Sequence, residues 1–128
     1  MNTEKLAIVV NDTLMMSYDR KVDLPKQQQQ YLQKLDHKFE QGIDLQDERI
    51  DKPDTEQRAK FMALSLMEGI MYEEDSLATA SMAWLATRLP DLKQVVAKVD
   101  SNGTQFELVF DREYVENQVS VEFGKSLN

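Results

Sequence analysis

The stretch 55–89, TEQRAKFMALSLMEGIMYEEDSLATASMAWLATRL, decides the fold. It reads as two helical arms joined by the polar turn Glu73-Glu74-Asp75-Ser76. The first arm carries Phe61, Met62, Ala63, Leu64, Leu66, Met67, Ile70, Met71 and Tyr72. The second carries Leu77, Ala78, Ala80, Met82, Ala83, Trp84, Leu85, Ala86 and Leu89. A helix with one side in water needs an apolar stripe only about 100° wide. Here apolar side chains occupy most faces of both arms. The hairpin is therefore the centre of the core, and the flanking segments are its cover. Asp54 followed three residues on by Gln57 is a capping-box pattern that marks the start of the first arm.

Upstream, Thr3 can cap a first helix in which Leu6, Val9, Val10, Thr13 and Leu14 form one stripe, fading near Tyr18. Pro25 suits the first position of a second helix, where its missing N–H costs nothing. That helix has a narrow stripe of Tyr31, Leu32, Leu35 and Phe39, and Gly42 stops it with Ile43 folded back behind. Residues 43–54 read as the least structured part. Leu45 and Ile50 can pin a short helical turn there, and Pro53 ends it.

Downstream of Leu89-Pro90 the apolar period drops from about four to two. Val95, Ala97 and Val99 alternate, then Phe106, Leu108 and Phe110, with Asn102-Gly103 between them as a two-residue turn. Pairing Ser101 with Thr104 sets Val99 opposite Phe106, Ala97 opposite Leu108, Val95 opposite Phe110 and Lys98 opposite Glu107. In the tail, Val119, Val121 and Phe123 alternate and favour a third strand; a helix capped by Asp111 is the alternative. The expected architecture is α+β and mainly helical: about four helices around a central helical hairpin, followed by a C-terminal antiparallel β-hairpin. A chain of 128 residues suits one domain, 1–128.

Composition narrows the function. Fifteen basic against 23 acidic residues give a net charge of −8. That argues against nucleic-acid binding and against anionic membranes, both of which call for a basic face. Cysteine is absent, so disulfides and thiolate chemistry are out. The apolar run Leu6–Val10 is too short for a signal-peptide core. The expected setting is cytoplasmic.

Catalytic side-chain sets are hard to assemble from this chain. His37 is its only histidine and sits between Asp36 and Lys38 on a polar helix face, so zinc-type and di-iron sites are not expected. Asp100 to Asp111 imitates a calcium loop, but its glycine falls at the fourth position rather than the sixth. No glycine-rich phosphate cradle is present, and no cofactor is expected. Glu68, inside the first arm, would need a partner if buried; Arg88 is the candidate across the hairpin. Between Asp36 and Glu56 stand eight acidic and three basic residues. Within that run Asp44, Asp47, Glu48 and Asp51 are the candidate partner-binding residues, with Trp84 as a core or interface anchor.

Three functions follow as expectations. The first is a small acidic protein-interaction or regulatory domain without catalytic activity. The apolar surface exceeds what four helices readily cover, so the partner can be a second copy in a homodimer. The second is an acidic inhibitor that mimics nucleic-acid charge and occupies a basic site. The third is a small-molecule binder or enzyme using Glu68 in an interhelical pocket.

Overall fold

The N-terminal apolar run forms strand, not helix. A computed structural model describes residues 4–115. Within them β1 (Lys5–Val10) and β2 (Thr13–Asp19) make an antiparallel hairpin. The helical stripe expected over this region is overturned by two local features. Ile8, Val9 and Val10 are a β-branched run, which packs best on a pleated surface. Asn11 and Asp12 both take positive φ, 49° and 67°, as a two-residue type I′ turn requires. Thr3, the expected helix cap, lies outside the described residues.

The remaining elements are α1 (Lys26–Phe39), β3 (Ile43–Leu45), β4 (Glu48–Ile50), α2 (Thr55–Met71), α3 (Asp75–Arg88), β5 (Gln94–Asp100) and β6 (Gly103–Val109). The described residues thus hold three helices and six strands, and the mainly helical, four-helix expectation is corrected to an α+β fold built on a sheet. The main sheet has the order β2-β1-β5-β6. β1 and β5 run parallel at its centre, with Ile8 against Val95 and Val10 against Ala97. Leu6, Ala7, Ile8 and Val9 of β1 are all buried, with Leu6 and Ile8 in the core shared with the helices. The Asn11 side chain adds a rung between these strands. It donates to the Val99 carbonyl at 3.2 Å and accepts from the Val99 N–H at 2.9 Å.

The C-terminal hairpin exists, but its register is two residues from the expected one. Asp100 pairs with Gly103, Ala97 with Phe106 and Val95 with Leu108. Asp100 heads the turn and its carboxylate accepts from the Asn102 N–H at 2.8 Å, while Gly103 supplies the positive φ of 123°. A shift of two keeps every side chain on its expected face, so the apolar alternation survives. The charge pair does not: Lys98 faces Gln105, and Glu107 faces Val96. The tail strand expected at Val119, Val121 and Phe123 lies outside the described residues.

The helical hairpin is the core, as its composition demands. The capping box at Asp54 and Gln57 closes with bonds of 2.8 and 2.9 Å. α2 ends where Glu73 takes a φ of 56°, and the Glu74 N–H reaches the Gly69 carbonyl at 2.8 Å. In α3 every residue from Ser81 to Ala86 is buried. Six consecutive buried residues exceed one turn, so α3 is covered all round. Its neighbours in the single contiguous core are α2, the β1–β5 face of the sheet and Leu32 and Phe39 of α1. Phe61 and Ile70 are half-buried at its margin. Arg20, just past β2, ties sheet to hairpin by donating to the carbonyls of Ala86, Leu89 and Leu92 at 3.1, 3.1 and 2.8 Å. A cation at a helix C-terminus satisfies carbonyls that the helix leaves open.

Candidate functional site

The stretch expected to be least ordered, 43–54, carries a second hairpin. β3 and β4 pair Ile43 with Ile50, Asp44 with Arg49 and Leu45 with Glu48. The turn Gln46-Asp47 repeats the φ values of the first hairpin, 49° and 67°. The alternation was legible: Ile43 and Leu45 point into the core and are buried, while Asp44 between them points out. Leu45 and Ile50 therefore pin a strand pair, not a helical turn.

This ribbon gathers the acidic candidates. Asp44, Asp47, Glu48 and Asp51 are all exposed on it. Arg49 stands among them, 3.6 Å from Asp44 and 3.8 Å from Asp51. It also donates to the Gln41 carbonyl at 3.0 Å, which fastens the ribbon to the end of α1. Gly42 makes room for that contact. A Cβ there would lie 2.8 Å from an Arg49 Nη, and the residue's φ of 102° excludes most side chains. Arg49 thus sets one positive charge between the two carboxylates Asp44 and Asp51. Asp47 and Glu48, at the tip, have no ion pair among the described residues.

Beside the ribbon's base, α1, the start of α2 and the end of α3 border a polar cleft of ≈ 580 Å³. Asp36 organises it. Its Oδ1 accepts from Trp84 Nε1 at 2.7 Å, and its Oδ2 accepts from Arg88 Nε at 3.0 Å and Nη2 at 2.6 Å. Arg58 donates from Nε to the Pro53 carbonyl at 3.1 Å and lies 5.4 Å over the Phe39 ring. Phe39 meets Trp84 edge-on at 5.5 Å. His37 lines the cleft with Glu40.

Trp84 is 1% exposed, which makes it a core anchor and removes it from the surface available to a partner. Arg88 answers Asp36, not Glu68. Glu68 is exposed, so the pocket carboxylate of the third expectation loses its premise. The Asp36 network was missed, although its signal is present. Asp36 falls four residues after Leu32 and three before Phe39, on the buried stripe of α1. Within the cleft, Asp36 and Arg88 are spent on each other, and Arg58 on the Pro53 carbonyl and the Phe39 ring. No group of three or more His, Asp or Glu side chains able to hold a metal ion occurs among the described residues. No helix among them is long and apolar enough to cross a membrane. Set against family models, curated proteins and solved structures, the chain matches none of them.

Proposed function

We propose that the chain is a protein-interaction domain that acts without catalysis and presents its acidic β3–β4 ribbon to a basic protein surface. The observation that carries this reading is the division of labour on the ribbon. Buried Ile43 and Leu45 hold one face of it and Arg49 braces the other, while Asp47 and Glu48 at its tip have no ion pair among the described residues. Rigid display of charge favours fast, salt-sensitive association with an opposite field. The overall charge of −8 works in the same direction.

The test compares the wild-type chain with Asp47→Asn/Glu48→Gln and with the quartet variant that also carries Asp44→Asn and Asp51→Asn. Each is immobilised in native extract at low and high salt. Capture that is lost at high salt, lost in the quartet variant and mostly lost in the tip variant supports the reading. Equal capture by all three chains, at equal melting temperature, ends it. Added duplex DNA distinguishes the related function of an inhibitor that fills a nucleic-acid site: only there does DNA displace the chain.

A further inference from the structure

We propose that the cleft beside Asp36 binds a small organic acid, whose single carboxylate docks end-on against the guanidinium of Arg58. The charged lining of the cleft is Asp36, Glu40, Arg58 and Arg88, with His37 beside them. Asp36 and Arg88 are committed to each other at 2.6 Å. Glu40 is exposed on the rim, where water screens its charge. Arg58 differs from all three. It is half-buried, and no carboxylate lies within ion-pair distance of it among the described residues.

Two contacts hold Arg58 in place and leave one end of it open. Its Nε donates to the Pro53 carbonyl at 3.1 Å, and its guanidinium carbon lies 5.4 Å from the centre of the Phe39 ring. The first contact fixes the inner edge of the group, and the second covers one face of it. Nη1 and Nη2 make no hydrogen bond among the described residues. These two nitrogens form the end of a planar fork that matches the two oxygens of a carboxylate. Phe39 is 2% exposed and meets Phe61 and Trp84 in edge-to-face contacts at 5.7 and 5.5 Å. The guanidinium therefore rests on a ring fixed by the core, and an arginine already held has less freedom to lose on binding.

The rest of the lining narrows the kind of ligand. Gln33 and Thr55 carry side-chain hydrogen-bonding groups without a partner among the described residues. Thr55 stands three residues before Arg58 on the same face of α2, and Gln33 lies across from them on α1. A cleft of ≈ 580 Å³ suits a body of metabolite size. The charges favour a monoanion. One open guanidinium offers one positive charge, while Glu40 on the rim and the overall charge of −8 oppose a dianion such as a phosphate ester. A cation finds less here, because both Asp36 oxygens already accept from Trp84 and Arg88, and Glu40 stands in water.

The acidic ribbon takes no part in this site, so the quartet variant should bind the same probes. The test titrates the full, ¹⁵N-labelled chain with acetate and benzoate, with benzamide as the uncharged analogue, and with inorganic phosphate and chloride, all at one ionic strength. The chain has one tryptophan, so the indole N–H signal of Trp84 reports from the cleft without overlap, and the Nε–H signal of Arg58 is the second reporter. Acetate and benzoate should move both signals to saturation, and benzamide should not. Arg58→Gln should abolish the saturable shift. Arg58→Lys keeps the charge and removes the fork, so it should weaken binding about tenfold at an unchanged melting temperature. Shifts that never saturate with either carboxylate, or that chloride reproduces, overturn the proposal. So do equal binding of benzamide, tighter binding of phosphate than of the carboxylates, or an unchanged affinity in Arg58→Lys.

Discussion

Asp36 shows how one side chain can hold two helices together. Its two oxygens serve Trp84 and Arg88, which reach it from α3, and the acceptor itself sits on α1 beside the aromatic contact of Phe39 with Trp84. Asp36→Ala leaves the indole N–H of a buried tryptophan without an acceptor and Arg88 without its partner. The expected loss is about 2 kcal/mol, read by urea denaturation. Asp36→Asn keeps an oxygen for Trp84 and should lose roughly half of that. Gly69 gives a second test at this scale. Its ideal Cβ would lie 2.6 Å from the backbone nitrogen of Ala78, where α2 and α3 approach. Alanine improves helix propensity by about 1 kcal/mol, but overpacking costs roughly 1–3 kcal/mol. Backbone cannot step aside as a flexible side chain can, so Gly69→Ala should lower the melting temperature.

At the scale of elements, the sequence was easiest to read where one signal had no rival. The capping box and the apolar arms placed α2 and α3, and the Pro25 and Gly42 signals bracketed α1. Two of the three hairpins were harder. Leu6, Val9, Val10, Thr13 and Leu14 fit a helical stripe as well as two strands, and a short apolar run cannot be assigned by period alone. The deciding residues were Asn11-Asp12, a type I′ turn without glycine. The ribbon hid behind the same omission, since Gln46-Asp47 also lacks glycine. Left-handed backbone costs more for Asp than for Gly. Asp12→Gly should therefore stabilise the β1–β2 hairpin by about 0.5 kcal/mol and raise the melting temperature slightly. The four acidic candidates were legible as a charge run; that they share one braced ribbon was not, because Arg49 joins them through pairing rather than through sequence spacing. Trp84 was legible as an anchor, and its burial followed from tertiary cover that only the helix-sheet arrangement supplies.

Across the whole molecule, stability depends on closing the sheet edge over the end of the helical hairpin, where Arg20 and Tyr18 meet α3. Burial raises the Tyr18 phenol above its ordinary 10.0, and the Arg20 charge opposes the shift. A raised folded pKa means that the native state holds the proton longer than the unfolded chain does. This contribution is complete below pH 10 and is lost as pH rises through the folded pKa. Stability measured by denaturant should fall above pH 10 in the wild type and fall less steeply in Tyr18→Phe. The Arg20 guanidinium, lowered mainly by burial, keeps its charge through this range and continues to hold the Ala86, Leu89 and Leu92 carbonyls. The enclosure of α3 by sheet, α2 and α1 underlies every part of this picture, and the chain has one tryptophan, at position 84, to report on it. Acrylamide quenching of Trp84 fluorescence in the folded chain should be weak, with emission shifted to the blue of the urea-unfolded chain. Emission and quenching equal to those of the unfolded chain under native conditions would contradict it.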